Sequence, residues 1–199
     1  MHSTFKRALP FAVMAAASIA ASPVIAADAS YFKGKTMKIV IPYGPGGTYD
    51  KYGSSFAKNL GRHIPGNPNI ILQHMPGAGG SKAMNFTYNI MAKNGLNMVV
   101  PLDNSVINQL LRPKRMKFKT DKFSWLGSSN QTNNIMVVRT DSGVKSLKDM
   151  KNIGVIGATS GKSSSGYINP RLVWGLLGLK GRMVTGYKGS SRSTLAIEQ

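Results

Sequence analysis

From Met37 onward, short aliphatic runs alternate with stretches whose apolar positions recur every three or four residues. The runs Met37–Pro42, Ile70–Gln73, Asn97–Pro101, Ile135–Arg139, Ile153–Gly157 and Arg182–Thr185 predict strands. Between them, Tyr52, Phe56, Leu60 and Ile64 form one stripe of a helix started by Thr48 or Asp50. Met84, Tyr88 and Met91 repeat that spacing after a Ser81 cap. A third helix is predicted over Asn104–Leu111, with Asn104 and Ser105 competing as cap, and Leu172, Leu176 and Leu179 mark a later one. Strands alternating with helices predict an α/β fold with a mostly parallel sheet covered on both faces. The periodicity lapses near residues 112–124, where charge rises and proline appears, as at a crossover between two α/β lobes. Ser190–Gln199 opens a further helix without a C-terminal cap, so the second lobe, 125–199, is expected to be incomplete.

Two of the strand-to-helix junctions are rich in glycine. The first runs Tyr43-Gly44-Pro45-Gly46-Gly47-Thr48-Tyr49-Asp50, and the second Pro76-Gly77-Ala78-Gly79-Gly80-Ser81. A strand that stops at such a turn and restarts as a helix leaves backbone N–H groups unpaired at the positive end of the helix dipole, a setting that favours an anion. The amides of Gly46, Gly47 and Thr48 are placed to wrap a carboxylate, because glycine lets backbone approach a ligand closely. The alternative, at either turn alone, is a tight connection with no ligand. Two such turns at the same ends of neighbouring parallel strands favour a ligand, since open α/β sheets bind beyond the carboxyl ends of their strands. Asp50 reads either as a helix cap or as an acceptor that orients a ligand hydroxyl or amine.

A third junction, Gly157-Ala158-Thr159-Ser160-Gly161-Lys162-Ser163-Ser164-Ser165, superficially resembles a phosphate loop. Only three residues separate Gly157 from Gly161-Lys162-Ser163, and Ile156 occupies the position where that loop needs its glycine. A nucleotide-hydrolysing loop is therefore excluded, and a strand ending in small hydroxyl residues remains as a second-lobe anion clamp. Catalytic constellations are missing. Beyond the N-terminal segment the histidines are His63 and His74, neither spaced for a metal pair, and no nucleophile elbow is present. Both histidines read as turn or surface residues, while Trp125 and Trp174 read as core. No enzyme activity, metal or cofactor is expected.

Residues 1–26 have the form of a signal peptide: Lys6 and Arg7, an alanine-rich apolar stretch from Phe11 to Ala21, and Val24-Ile25-Ala26 before the cleavage point. The stretch is short for a membrane anchor, so the expected location is the periplasm, with cleavage after Ala26. The 199 residues include no cysteine, which removes thiol chemistry and disulfides from consideration. Against 7 acidic residues stand 26 Lys and Arg, a net charge of +19. The basic residues are scattered, the densest cluster being Arg112-Pro113-Lys114-Arg115-Met116-Lys117-Phe118-Lys119. An exported chain with that distribution is read as a positive field that gathers anionic solutes, not as a nucleic-acid binder.

Taken in order, these motifs resemble the substrate-binding proteins of tripartite tricarboxylate transporters, the Bug family. The resemblance rests on Pro42 to Asp50, on Pro76 to Gly80, on Phe123 to Ser128, on Gly157 to Ser164 and on Tyr187-Lys188-Gly189-Ser190, across residues 35–199. It implies a two-lobed, type II periplasmic-binding-protein-like fold, with a first lobe over 27–111, a crossover over 112–124 and a second lobe from 125. It also implies a monomeric receptor that closes over a small carboxylate and presents it to membrane permease subunits. By similarity, Tyr43, Gly46, Gly47, Thr48, Gly77, Ala78, Gly79, Gly80 and Ser81 hold the proximal carboxylate, and Asp50 lies where a ligand hydroxyl or amine is met. Ala158, Thr159, Ser160, Ser163, Ser164 and Tyr187 meet the distal end.

Two departures stand out. Thr48 replaces a third consecutive glycine, and Lys162 inside the second-lobe loop favours a second anionic group. Relatives also continue well beyond this length. The rival readings are an exported α/β hydrolase or transferase, separable by turnover, and a basic protein that binds acidic polymers, separable by steep salt dependence without small-ligand selectivity. With edge strands and apolar helix faces uncovered, residues 27–199 are expected to be unstable or to close poorly. A cooperative, monomeric melt of that segment would overturn this expectation.

Overall fold

β1 (Thr36–Ile41) lies at the centre of a parallel sheet of order β2–β1–β3, flanked by β2 (Asn69–His74) and β3 (Asn97–Val99). The computed structural model describes residues 29–129, 131 and 133–199; the expected signal segment 1–26 lies outside them. Register runs from Thr36 opposite Asn69 to Ile41 opposite His74, and from Lys38 opposite Asn97 to Val40 opposite Val99. β1 and β2 both carry aliphatic runs, but only in the central strand is the run fully buried, at Ile39, Val40 and Ile41, whereas Ile71 of the edge strand is exposed. α1 (Ala29–Phe32) precedes this sheet; α2 (Thr48–Asn59), α3 (Ser81–Asn89) and α4 (Ser105–Leu111) connect or follow its strands. A second parallel pair, β4 (Val155–Thr159) and β5 (Gly181–Thr185), is joined by α5 (Ser165–Leu177) and followed by α6 (Ser190–Glu198).

Each sheet has its own core. Tyr43, Met84, Leu102, Met116 and Phe118 form the first, with Tyr49, Tyr88, Val99 and Phe123 packed against it. Met150, Trp174 and Leu179 form the second, with Val144, Val155 and Met183 around them. The segment expected to be a crossover is therefore anchored: Met116 and Phe118 pack into the first core. Two asparagines of α3 fix its backbone there. Asn85 receives the Lys117 amide (2.8 Å) and donates to Arg115 O (3.2 Å), while Asn89 donates to Lys117 O (2.6 Å).

Several expectations need correction. Ile135–Arg139 is not a strand: among the described residues β4 pairs only with β5, and a β-branched run without a ladder partner stays irregular. Arg139 is held by Asp141 (2.6 and 2.9 Å) and by the carbonyl of Ile197 near the end of α6 (3.1 Å). Trp125 is not core. It is 56 % exposed, its indole N–H donating to Thr120 O (3.0 Å), whereas Trp174 is buried as expected. On α5, Leu172 and Leu176 face outward, and Trp174 and the following Leu179 do the packing.

The apolar stripe of α2 is likewise not its packed face. Tyr52 and Phe56 are exposed, and the buried residue of the helix is Gly53. A Cβ at Gly53 would lie 2.4 Å from Ile41 Cδ1 and 3.4 Å from Leu72 Cδ2, so the missing side chain sets how closely α2 approaches the sheet. Gly175 on α5, in contrast, has nothing within 4 Å of an added Cβ. Overpacking costs about 1–3 kcal/mol and removing a helical glycine returns about 1 kcal/mol, so the steric term wins only at Gly53. Urea denaturation is expected to show Gly53→Ala destabilised by about 1 kcal/mol and Gly175→Ala stabilised by about 0.5–1 kcal/mol.

Candidate functional site

All three glycine or hydroxyl junctions named by the sequence, together with the turn between β5 and α6, meet at one place. β1 ends at Ile41, and the buried Pro42 and Tyr43 lead into the first turn. Gly46 there has φ +83°, a backbone state that suits glycine. Gly47 is the N-cap of α2 and supplies no side chain to cap it. The amides of this turn find partners both in α2 itself and in the turn before α6. The Gly46 amide donates to Asp50 Oδ2 (2.8 Å), the Thr48 amide to Ser190 Oγ (3.1 Å), and the Gly44 amide to Lys188 O (2.5 Å).

The second turn holds four successive residues at positive φ: Gly77, Ala78, Gly79 and Gly80. Gly80 is the N-cap of α3, in the left-handed region, where an added Cβ would strike Leu102 Cδ2 at 2.4 Å. Ser81 is therefore not the cap the sequence indicated. It is the first helical residue, buried, and its hydroxyl donates back to Ala78 O (2.9 Å). Tyr43 reaches across from the first turn and donates to Gly79 O (3.3 Å), and Tyr49 packs edge-on against it with ring centres 4.7 Å apart. Burial, and then the neighbouring Tyr49 and Asp103, push the Tyr43 hydroxyl far above its ordinary pKa, with Ser160 acting weakly the other way. Burial and Asp103 push Tyr49 up to about 12. Both phenols therefore remain neutral donors at physiological pH.

In the third loop Thr159, Ser163 and Ser164 are buried. Thr159 Oγ1 and Ser164 Oγ are 2.7 Å apart, and the Ser164 hydroxyl donates to Gly161 O (2.8 Å). Ala158 and Thr159 end β4, and Ser160 leads into Gly161 at φ +157°. The loop abuts the second turn. A Cβ on Gly161 would lie 2.6 Å from Gly79 N, and a Cβ on Gly79 would lie 2.9 and 3.0 Å from Ser163 N and Ser164 N. Tyr187 is placed beside this loop through its amide, which donates to Thr159 O (3.4 Å).

Four helix N-termini thus converge in two pairs: α2 with α6 through Thr48 and Ser190, and α3 with α5 through Gly79 and Ser164. Neighbouring helix N-termini each carry partial positive charge and first-turn amides, a setting that favours negative charge between them. Among the described residues no cluster of three or more His, Cys, Asp or Glu could hold a metal ion, and no described helix is long and apolar enough to cross a membrane.

Asp50 is already engaged. One carboxylate oxygen receives the Gly46 amide, and the other lies 2.6 Å from His74 Nε2 at the end of β2. His74 is thus half-buried and paired, where the sequence indicated a turn or surface residue; His63 is exposed and lies against Arg62. Sequence reasoning named Ser190 only as part of a motif and Asn104 only as a helix cap, and it missed Asn108 and the contacts all three make. Asn108 is fully buried and donates to Ser163 O (2.7 Å) and to Asn104 Oδ1 (2.9 Å), joining α4 to the third loop. The signal was available as two asparagines four residues apart on one helix face.

No protein-family model and no curated protein sequence matches the chain. Solved structures do. A periplasmic transporter structure superposes with a TM-score of 0.61 at 15% identity, covering 82% of this chain and 56% of that one. Rpa4515 of R. palustris, solved with adipate, gives 0.57 at 16% identity with the same coverages. The periplasmic binding protein BugD gives 0.52 at 11% identity, covering 83% of this chain and 56% of its own. The α/β fold expected from the sequence is therefore the fold found, and the chain spans 56% of the length of the solved proteins it matches.

The Gly46 amide, and then the His74 hydrogen bond, hold the Asp50 carboxyl below its ordinary range. A carboxyl pKa lowered by folding contributes stability above the unfolded value, and that contribution is lost as pH falls through the folded value. Asp50→Asn is expected to cost about 1 kcal/mol at neutral pH. The gap between the urea midpoints of variant and wild type should close as pH falls below about 4.

Proposed function

We propose that this chain is the ligand-capturing part of a periplasmic solute receptor of the tripartite tricarboxylate transporter type. It captures a small carboxylate without chemical conversion and delivers it to membrane permease subunits. The observation that supports this most directly is the convergence of the four helix N-termini at the turns 43–48, 77–81, 158–164 and 187–190. Backbone amides at helix N-termini bind an anion with little reorganisation, and they need no titratable catalyst. The adipate bound to Rpa4515 supports a carboxylate as the ligand class, and the fold supports export.

Binding then has a simple physical course. With the loops apart, a carboxylate meets the first-turn amides of α2 and α3, with Gly46, Gly47, Thr48 and Gly77 to Ser81 shaping the cradle. Tyr43, held as a neutral donor, orients the Gly79 carbonyl and so the left-handed turn. Closure brings Ser160, Ser163 and Ser164 onto the distal end, and Thr159 stiffens that loop through Ser164. Asp50 acts mainly through Gly46, whose amide it fixes. Tyr187 borders the distal side.

Micromolar binding requires about −8 kcal/mol, and charge-assisted amide bonds contribute about 1.5–3 kcal/mol each. A few such bonds against a preformed cradle are enough. Calorimetric titration of the full chain with adipate, succinate, citrate and benzoate is expected to find micromolar binding for at least one acid. Gly79→Ala, which places a Cβ against the Ser163 and Ser164 amides, is expected to weaken that binding about tenfold or more. Absence of binding by every acid would overturn the proposal.

A further inference from the structure

Beside the loop junction lies an open surface hollow of about 460 Å³, lined by Leu111, Arg112, Pro113, Lys114, Arg115 and, from the third loop, Lys162. We infer that it is a second anion site, taking a compact phosphoryl group with two or more negative charges that bridges the turn after α4 to the third loop. Four of its six lining residues are cations, and they come from two elements far apart in sequence. No described carboxylate is ion-paired with any of them. The 7 acidic residues of the chain include none between Asp103 and Asp121 and none between Asp149 and Glu198, the stretches that supply both walls.

A solvated basic face would be held loosely, but both walls here are fixed from behind. On one side, Arg115 N and Met116 N donate to Arg112 O (3.0 and 3.1 Å), and Asn85 of α3 donates to Arg115 O (3.2 Å). On the other, fully buried Asn108 grips Ser163 O, while Thr159 and Ser164 brace the loop that carries Lys162. Arg112 Nη1 lies 3.5 Å from Ser163 Oγ, at the point where the walls meet. Asn108 Oδ1 and Asn104 Nδ2 are buried without a hydrogen-bond partner beside the same joint.

Like charges held on opposite walls oppose their approach, and an anion between them turns that repulsion into a bridge. The choice of a phosphoryl group over a single carboxylate follows from charge density. Four cations around one hollow are matched by two or more charges on one small centre, and two guanidinium forks suit its tetrahedral oxygens.

The test is calorimetric titration of the full chain with pyrophosphate at several salt concentrations, with adipate titrated in parallel. Wild type is expected to bind pyrophosphate with an affinity that falls as salt rises. Lys162→Glu and Lys114→Glu, both at exposed positions, are each expected to weaken it about tenfold or more. Lys148→Glu, an equal charge change outside the hollow, is expected to alter it by less than about threefold. The inference is overturned if wild type does not bind pyrophosphate, if neither hollow variant weakens it, or if Lys148→Glu weakens it as much. The carboxylate reading of the loop junction stands or falls separately. Its failure appears as loss of adipate and other acid binding with pyrophosphate binding intact, and failure of the second site as the converse.

Discussion

The structure depends on the meeting of several helix N-termini at one point. α2, α3, α5 and α6 all begin there, three of them directly after a glycine. Each brings first-turn amides without intrahelical acceptors, and a helix end cannot be buried with those donors unpaired. One such donor is capped across the junction, the Thr48 amide by Ser190 Oγ, while just upstream of α2 the Gly46 amide donates to Asp50 of that same helix and the Gly44 amide to Lys188 O. The Ser190 and Lys188 contacts tie the turn before α2 to the turn before α6.

The glycines at the junction are needed for two different reasons. Gly79 and Gly80 combine positive φ with a lack of room, the first against the third loop and the second against Leu102. Gly47, at ordinary φ, is needed because Ser190 Oγ would be 2.9 Å from its Cβ. Ala78 carries a side chain at φ +50°, an uncommon state that its neighbours on both sides hold in place. Strain of this kind persists where surrounding contacts over-determine the backbone, and here Tyr43 and Ser81 both hydrogen-bond to carbonyls of that turn.

α4 shows the same priority of the junction over the core. Its buried positions are the polar Ser105 and Asn108, preceded by buried Asn104, while Val106, Ile107, Leu110 and Leu111 are exposed. A helix driven only by hydrophobic burial would be turned the other way round. The inward face instead makes hydrogen bonds: Ser105 donates to Leu102 O (2.6 Å), and Asn108 donates to the third loop. That face is only partly satisfied, since Asn104 Nδ2 and Asn108 Oδ1 are buried there without a hydrogen-bond partner.

Local pattern alone was enough to read the alternation of strand and helix, the parallel pairing and the positions of the glycine junctions. These follow from side-chain period, from β-branched composition and from the backbone freedom of glycine, all of which act over a few residues. Tertiary structure decided the rest. Whether Ile135–Arg139 becomes a strand depends on a partner edge, and whether Trp125 is buried depends on what packs over it. Which face of α2 or α4 turns inward depends on the steric room at Gly53 and on the carbonyl waiting at Ser163. The partnership of Asp50 with His74, of Thr48 with Ser190, and of Asn108 with Ser163 links residues 24, 142 and 55 positions apart. No local period carries such information, because it arises only when the chain closes on itself.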